Sequence, residues 1–376
     1  VHPVTGRVFI TAAGPMKGEA HSGVLYGLDV KPTGIEIGFA TPMGGGSGTS
    51  PALSADGSFV YSADGEGQML SVDTRTGKVA WAARGEGLLS PAIADDGTIL
   101  TGDIFAAPTV VALNPGDGAR KWAKSYDDYA ATRLPVLEPH PPEFPSGQPV
   151  ARLVSVISAS ANAVWVGMNL GYDYHQPGSG LTRPVPHITV VCALRPQDGT
   201  LLDCVDVRDT VEGMINIGTA GRLAVSHTSI FGSFFYHGLN PLLPQRYRSP
   251  MVPVGGLTAL EPESFCEQAV LELGQVDQFL GELDGALAAA DQAGALRLAT
   301  RATMQADVID DSLLEMERAG DVPTAQRRKL RGAIEATALE ISKMRDELAV
   351  DSPAMPDIRR RYRSLFDERP DSPDCP

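Results

Sequence analysis

The residues best suited to chemistry in this sequence are histidines and carboxylates. Five of the seven histidines lie in loop-like segments, and these are His21, His140, His175, His187 and His237. Imidazole nitrogens and carboxylate oxygens bind metals, which makes His175, His237 and Asp173 candidate ligands. They lack a recurring spacing such as His-x-x-x-His, and loops are ordinary places for histidine. Solvated or hydrogen-bonded histidines are therefore expected, with metal or ligand sensing as the alternative.

The sequence offers no recognised catalytic motif. The glycine-rich stretch from Gly44 to Gly48 lacks the Gly-Lys-Ser/Thr ending of a phosphate-binding loop, so a linker is expected there. No Gly-x-Ser-x-Gly nucleophile elbow is present. We therefore expect no catalytic residues and a protein that is not an enzyme.

The four cysteines allow three pairings. Cys192 and Cys204 flank a Gln-Asp-Gly turn symmetrically, so a short hairpin would place them opposite each other on adjacent strands, at a distance that suits a disulfide. Two small apolar residues in a strand pair are the alternative. Cys266 and Cys375 are the candidates for a second bridge. Both bridges would need an oxidising compartment, which favours a periplasmic or extracellular location.

An internal repeat supplies the elements that carry these residues. Ser50–Gly57 recurs as Ser90–Gly97, and each copy reads as a strand followed by a turn. A second turn also recurs, and its marked positions are Asp73, Gly77 and Trp81 in one copy and Asn114, Gly118 and Trp122 in the other. Asp or Asn can accept backbone N–H bonds in such a turn, Gly accepts positive φ, and Trp packs between sheets. The pattern predicts four short strands per repeat.

This turn resembles the tryptophan-docking repeat of the quinoprotein dehydrogenases and of the pyrroloquinoline-quinone (PQQ)-like propellers that share their fold. The resemblance implies a β-propeller of four-stranded antiparallel blades. In the dehydrogenases it would also imply two adjacent cysteines over the cofactor, a calcium ion and a catalytic Asp. The sequence has no adjacent cysteines, so neither PQQ nor Ca²⁺ is expected, and a quinoprotein dehydrogenase remains a further alternative. The propeller lipoprotein of the outer-membrane β-barrel assembly machine is similar in repeat type.

Weaker copies of the turn extend the repeat to about five blades over residues 1–262. The first blade lacks its innermost strand and the last lacks its outermost strand, so we expect a ring that is incomplete in this chain. Missing strands or a partner would close it, because an open wedge exposes strand edges.

The insertions between strands all fall in connections that share one face of such blades. They cover residues 12–22, 103–108, 133–149, 172–186 and 237–254. Long loops on a rigid scaffold commonly carry binding. We expect this insertion-rich face to contact other protein subunits, through residues that include Tyr172, Tyr174, His140, Arg246 and Tyr247.

After Pro262 the apolar residues recur with helical spacing. Residues 263–350 are predicted to form an antiparallel three-helix bundle or coiled coil, which is a second candidate contact surface. Residues 351–376 form a proline-rich tail with a basic run, Arg359 to Arg363, for which a short helix docked on the acidic body of the same chain is expected. The fold class is therefore mainly β plus α.

The formal charge of −15 argues against nucleic acid as a partner, since phosphate binding needs clustered Lys and Arg. No apolar run is long enough for a membrane span. We expect a non-catalytic scaffold in a bacterial envelope assembly.

Overall fold

In the computed structural model the chain divides into two compact units. Unit 1 contains Val1–Asn216 and Ala224–Ala259, and unit 2 contains Ile217–Leu223 and Leu260–Pro376. The structure describes residues 1–13, 23–45, 49–84, 90–103, 109–144, 146–153, 155–160, 163–175, 177–178, 180, 182–207, 209–218, 221–227, 234–243, 245–253, 255–261, 265–320, 324–350 and 353–367.

Residues 8–260 contain five antiparallel sheets, each built from strands that are consecutive in sequence. The first sheet has three strands, β1 (Val8–Ala13), β2 (Gly23–Lys31) and β3 (Gly34–Met43). The second has β4 (Ala52–Leu53), β5 (Phe59–Ala63), β6 (Gln68–Asp73) and β7 (Val79–Arg84). The third has β8 (Ala92–Ile93), β9 (Ile99–Asp103), β10 (Thr109–Leu113) and β11 (Arg120–Ser125).

The helix α1 (Asp127–Arg133) connects the third sheet to the fourth. The fourth sheet has β12 (Pro149–Leu153), β13 (Ser158–Ala159), β14 (Val164–His175), β15 (Thr182–Leu194) and β16 (Leu201–Val207). The fifth has β17 (Val211–Ile217), β18 (Leu223–His227) and β19 (Gly256–Leu260). Within the described residues the first and last sheets have three strands each, which confirms the prediction of incomplete terminal blades.

The recurring turns have the predicted chemistry. Asp73 Oδ1 accepts the backbone N–H groups of Arg75 and Thr76 at 3.0 and 2.7 Å, and Asn114 Oδ1 accepts that of Gly116 at 2.9 Å. The glycines that end these turns have positive φ, as the turn type requires, and these are Gly77, Gly118 and Gly199.

Each of these glycines also lies under an aromatic ring of the preceding sheet. A Cβ atom would come within 2.5 Å of Phe39 at Gly77, within 2.6 Å of Trp81 at Gly118 and within 2.7 Å of Trp122 at Gly199. The two indoles donate to the next turn as well, Trp81 Nε1 to Pro115 O at 2.9 Å and Trp122 Nε1 to Pro196 O at 3.0 Å. Sheets one to four are thus joined in chain order by an aromatic-on-glycine contact.

Unit 2 contains the predicted helices, α2 (Phe265–Ala288), α3 (Gln292–Ala319), α4 (Thr324–Leu348) and α5 (Met355–Asp367). The side chain of Asp291 caps α3 by accepting from Gly294 N at 3.0 Å, and Gly320 ends it with a φ of 85°. The apolar stripes form one core that includes Leu280, Leu283, Ile309, Leu313, Ile334 and Ile341. Among the described helices, none is both long enough and apolar enough to cross a membrane.

The basic tail helix is held inside unit 2. Arg359 and Arg363 both pair with Asp284, Arg361 pairs with Glu347, and the Tyr362 hydroxyl donates to Leu280 O. The two guanidinium groups lower the pKa of Asp284 to about 2. This confirms that the cationic run docks on acidic residues of its own chain.

Candidate functional site

The insertion-rich side of the fourth sheet is organised around a long hairpin. β14 and β15 pair from Val164 opposite Leu194 to His175 opposite Thr182, whereas β16 follows β15 only as far as Val207 opposite Thr189. The hairpin therefore continues beyond the outer strand of its sheet. Its extension supplies a platform for the neighbouring insertions.

Three insertions meet on this platform in a separate apolar cluster, which we call the loop core. Its buried members come from residues 144, 172–185 and 239–247, and are Phe144, Tyr172, Tyr174, Val185, Leu239, Leu243 and Tyr247. The Phe144 ring packs edge-on against Tyr174, with centroids 5.5 Å apart, and stacks on Tyr247 at 5.6 Å. Segments far apart in sequence are thus joined by aromatic packing.

Hydrogen bonds fix the backbone of the same insertions. The Tyr172 hydroxyl donates to Pro135 O at 2.6 Å and the Tyr247 hydroxyl donates to Pro139 O. Burial raises the pKa of Tyr172, so this hydroxyl keeps its proton and remains a donor at neutral pH. The proline-rich connection is therefore tied to two tyrosines from other segments.

The segment after the loop core is closed by a reciprocal amide pair. Asn240 Nδ2 donates to Ser249 O at 2.8 Å, and Asn240 Oδ1 accepts from Ser249 N at 2.9 Å. The Ser249 hydroxyl then donates to Pro186 O on β15. These bonds and the apolar packing join the described parts of the three insertions into one layer.

The sequence predicts Tyr172, Tyr174 and Tyr247 at a contact surface, and the structure corrects this prediction. Their side chains are only 2, 6 and 2% exposed, so they stabilise the insertions from inside and do not face a partner. His140 is exposed as expected. The side chain of Arg246 lies outside the described residues.

Three apolar side chains on these segments point to solvent instead. Val136, Leu242 and Val252 are 42, 77 and 53% exposed. These three residues and His140 are exposed positions of the insertions at 133–149 and 237–254, and we refer to them jointly as the loop surface. Sequence reasoning missed them because an apolar residue in an insertion gives no indication of whether it is buried.

An open groove of about 520 Å³ lies beside the hairpin, lined by residues of β15, β16 and the 250–252 segment. On its wall, burial lowers the pKa of His187 to about 4. The ring packs edge-on against Tyr172 at 4.9 Å, and its Nε2 has no hydrogen-bond partner in the described part of the chain. On the rim, Asp206 pairs with Arg133 at 2.7 Å. The groove thus holds a neutral imidazole and a satisfied ion pair.

The candidate metal ligands do not form a coordination group. His175 is exposed, with its Nδ1 at 3.4 Å from Thr182 Oγ1, and His237 is exposed and packs edge-on against Tyr236. Within the described ranges, no three His, Cys, Asp or Glu side chains are placed to hold a metal ion, Asp173 included. His21 lies outside those ranges.

The predicted disulfide between Cys192 and Cys204 is present, across β15 and β16. Bridged across two strands, Cys192 and Cys204 are not the adjacent pair that the quinoprotein resemblance implies over a bound PQQ. Cys266 is buried at the start of α2. Cys266 is disulfide-bonded, and its predicted partner Cys375 lies outside the described residues.

A comparison with known protein families agrees with the internal repeat seen in the sequence. Residues 21–165 match the model of a PQQ repeat family described as outer membrane protein assembly factor BamB. No curated protein matches the sequence significantly.

Two solved structures illustrate the wider similarity. BamB from Moraxella catarrhalis is 12% identical over 58% of this chain and 75% of its own, with a TM-score of 0.30. The quinohemoprotein alcohol dehydrogenase from Comamonas testosteroni is 17% identical over 59% of this chain and 38% of its own, with a TM-score of 0.38. Similarity at this level does not transfer a function.

Proposed function

We propose that this chain is a non-catalytic scaffold of the bacterial envelope that binds another protein through its loop surface. The chain is a PQQ-like repeat protein, with the family match over residues 21–165. The observation that carries the proposal is the loop core. A layer with its own buried aromatic cluster holds Val136, Leu242 and Val252 in exposed positions.

Order in this layer favours binding on energetic grounds. A flexible loop loses conformational freedom when it binds, at a cost of roughly 1 to 2 kcal/mol per ordered residue. Here the tyrosine hydroxyls and the Asn240–Ser249 pair have ordered the backbone already. The free energy of burying the exposed apolar groups is then available for association, at roughly 25 cal/mol per Å².

The acidic chain sets a second condition on the partner. A net charge of −15 disfavours nucleic acids and other strongly acidic surfaces. We therefore expect a protein partner with an apolar patch and a neutral or basic rim. The matched family, outer membrane protein assembly factor BamB, supports an envelope location for such a complex.

The test is affinity co-purification of the full chain from the cells that naturally produce it, with mass spectrometry of bound proteins. Leu242→Asp places a charge on the loop surface and should reduce partner recovery at least tenfold. The matched control is Leu202→Asp, because Leu202 is 47% exposed on β16 next to the short turn at Gly199.

Equal recovery with both variants would overturn the proposal, as would a chain that always purifies as a lone monomer. Dye-linked alcohol oxidation after addition of PQQ and Ca²⁺ would support the dehydrogenase alternative instead.

A further inference from the structure

Exposed β-branched side chains are concentrated on one face of the first sheet. Ile10 is 41% exposed, Val30 63%, Ile35 68% and Ile37 64%. The register places them together, because Ile10 is opposite Tyr26, Ile35 is opposite Val30 and Ile37 is opposite Leu28. Residues opposite each other in a ladder share a face. The outer-strand position of Ile37 is exposed in the second sheet too, where its equivalent Val79 is 45% exposed, so Ile10 and Val30 on the inner strands are the informative members. Apolar surface of this kind marks a contact site.

The next two sheets show what normally covers this face. In each of the first three sheets the ladder to the outermost strand has a register shift at the same place. It falls between Gly27 and Leu28, between Ser71 and Val72, and between Ala112 and Leu113. Counting from it, the positions equivalent to Val8, Tyr26 and Leu28 are Val60, Leu70 and Val72 in the second sheet and Ile99, Val111 and Leu113 in the third.

Those equivalents are buried by the sheet that precedes them. Val60, Leu70 and Val72 are at most 6% exposed and form one cluster with Leu25, Phe39 and Met43 of the first sheet. The third sheet repeats this, since Ile99, Val111 and Leu113 are at most 4% exposed and cluster with Tyr61, Ala63 and Met69 of the second.

Ile10 gives the sharpest comparison. Its equivalents are Ser62, opposite Leu70, and Thr101, opposite Val111, and both have no exposed surface. In the first sheet the same position is 41% exposed although its side chain is apolar. The register of Ile10 therefore matches the covered faces, with an apolar side chain where Ser62 and Thr101 stand, and no sheet covers it among the described residues.

We propose that this face docks a further sheet of the same repeat type, from outside residues 1–376, which packs on it as the first sheet packs on the second. The contact differs in one detail. Ile37 of the first sheet is equivalent to Val79 of the second. The residue two positions earlier is Ile35 in the first sheet and Gly77 in the second. The first sheet thus presents Ile35, and not a glycine, to an aromatic ring of the incoming sheet, so we expect mainly aliphatic packing at this interface.

Cysteine labelling tests this in the full chain, because no cysteine in the described part of the wild type is free. We compare Ile10→Cys with Val79→Cys, since Val79 is 45% exposed but lies on the outer strand of the second sheet, where no further cover is expected. In the purified chain both variants should react with a maleimide at similar rates. In the cells that naturally produce the protein, Ile10→Cys should react at least tenfold more slowly, and Val79→Cys should not.

A benzophenone attached to the Ile10→Cys side chain then identifies the occupant. An adduct with a strand of a PQQ-like repeat outside residues 1–376 supports the proposal. Equal labelling of the two variants in cells, an adduct with a second copy of this chain, or an adduct with a protein of another fold overturns it. If Ile10→Cys is unstable in thermal unfolding, Val30→Cys replaces it, since Val30 is 63% exposed on the same face.

Discussion

His187 couples pH to the stability of the hairpin that carries the loop core. Its half-buried ring packs edge-on against Tyr172, next to Pro186, whose carbonyl accepts the Ser249 hydroxyl. Burial lowers its pKa from 6.5 to about 4, so the folded protein favours the neutral imidazole. Protonation would place a charge beside apolar groups, where its Nε2 finds no acceptor in the described part of the chain.

The sign and size of the effect follow from linkage. A group whose pKa is depressed by folding contributes its full stability above its unfolded pKa and loses it as pH falls towards its folded pKa. For His187 this window runs from 6.5 down to about 4. With 1.36 kcal/mol per pKa unit, the free energy of unfolding should fall by about 2 to 3 kcal/mol between neutral pH and about pH 4.5.

The perturbation is His187→Phe, which keeps an aromatic ring against Tyr172 and removes the titrating nitrogen. Urea unfolding at neutral pH and at about pH 4.5 should show wild type losing about 2 to 3 kcal/mol more than this variant. The control is His175→Gln, because His175 is exposed at the hairpin tip and should leave the pH dependence unchanged. If His187→Phe and wild type lose the same free energy on acidification, the burial argument is wrong.

Three further predictions concern the scaffold. Trp122→Phe keeps the ring over Gly199 and removes the indole bond to Pro196 O, so the free energy of unfolding should fall by about 1 kcal/mol in urea titration. Leu313→Ala empties a fully buried position in the helical core and should cost about 3 kcal/mol by the same method. Asp284→Asn should lower the stability at neutral pH. It should also reduce the further loss of stability that the wild type shows between about pH 4 and the Asp284 pKa of about 2, and thermal unfolding at several pH values measures both effects.

Features determined by local spacing could be predicted from the sequence. The Asp73-to-Trp81 turn encodes its own hydrogen bonds and its own positive φ, and the structure has both. The Cys192–Cys204 pairing follows from symmetry about one turn. The helical core follows from the spacing of residues such as Leu313, because apolar residues at helical spacing form one stripe that packs against another apolar surface.

Features that depend on contacts between distant segments could not be predicted. Tyr172 and Tyr247 look like surface residues in proline-rich insertions, yet each contacts segments far from it in sequence and is buried. Nothing local distinguishes a loop aromatic that packs inward from one that faces solvent. For the same reason Leu242 gave no sign of its exposure, and the unmatched face around Ile10 emerged only from comparing registers between sheets.

The most direct test of the scaffold account is photo-cross-linking in living cells from a genetically encoded photoreactive residue in place of Leu242. The account predicts a covalent adduct with another envelope protein from this position, and none from the same residue placed at Leu202. Adducts from both positions in equal yield, or from neither, would contradict the claim that the loop surface binds a partner protein.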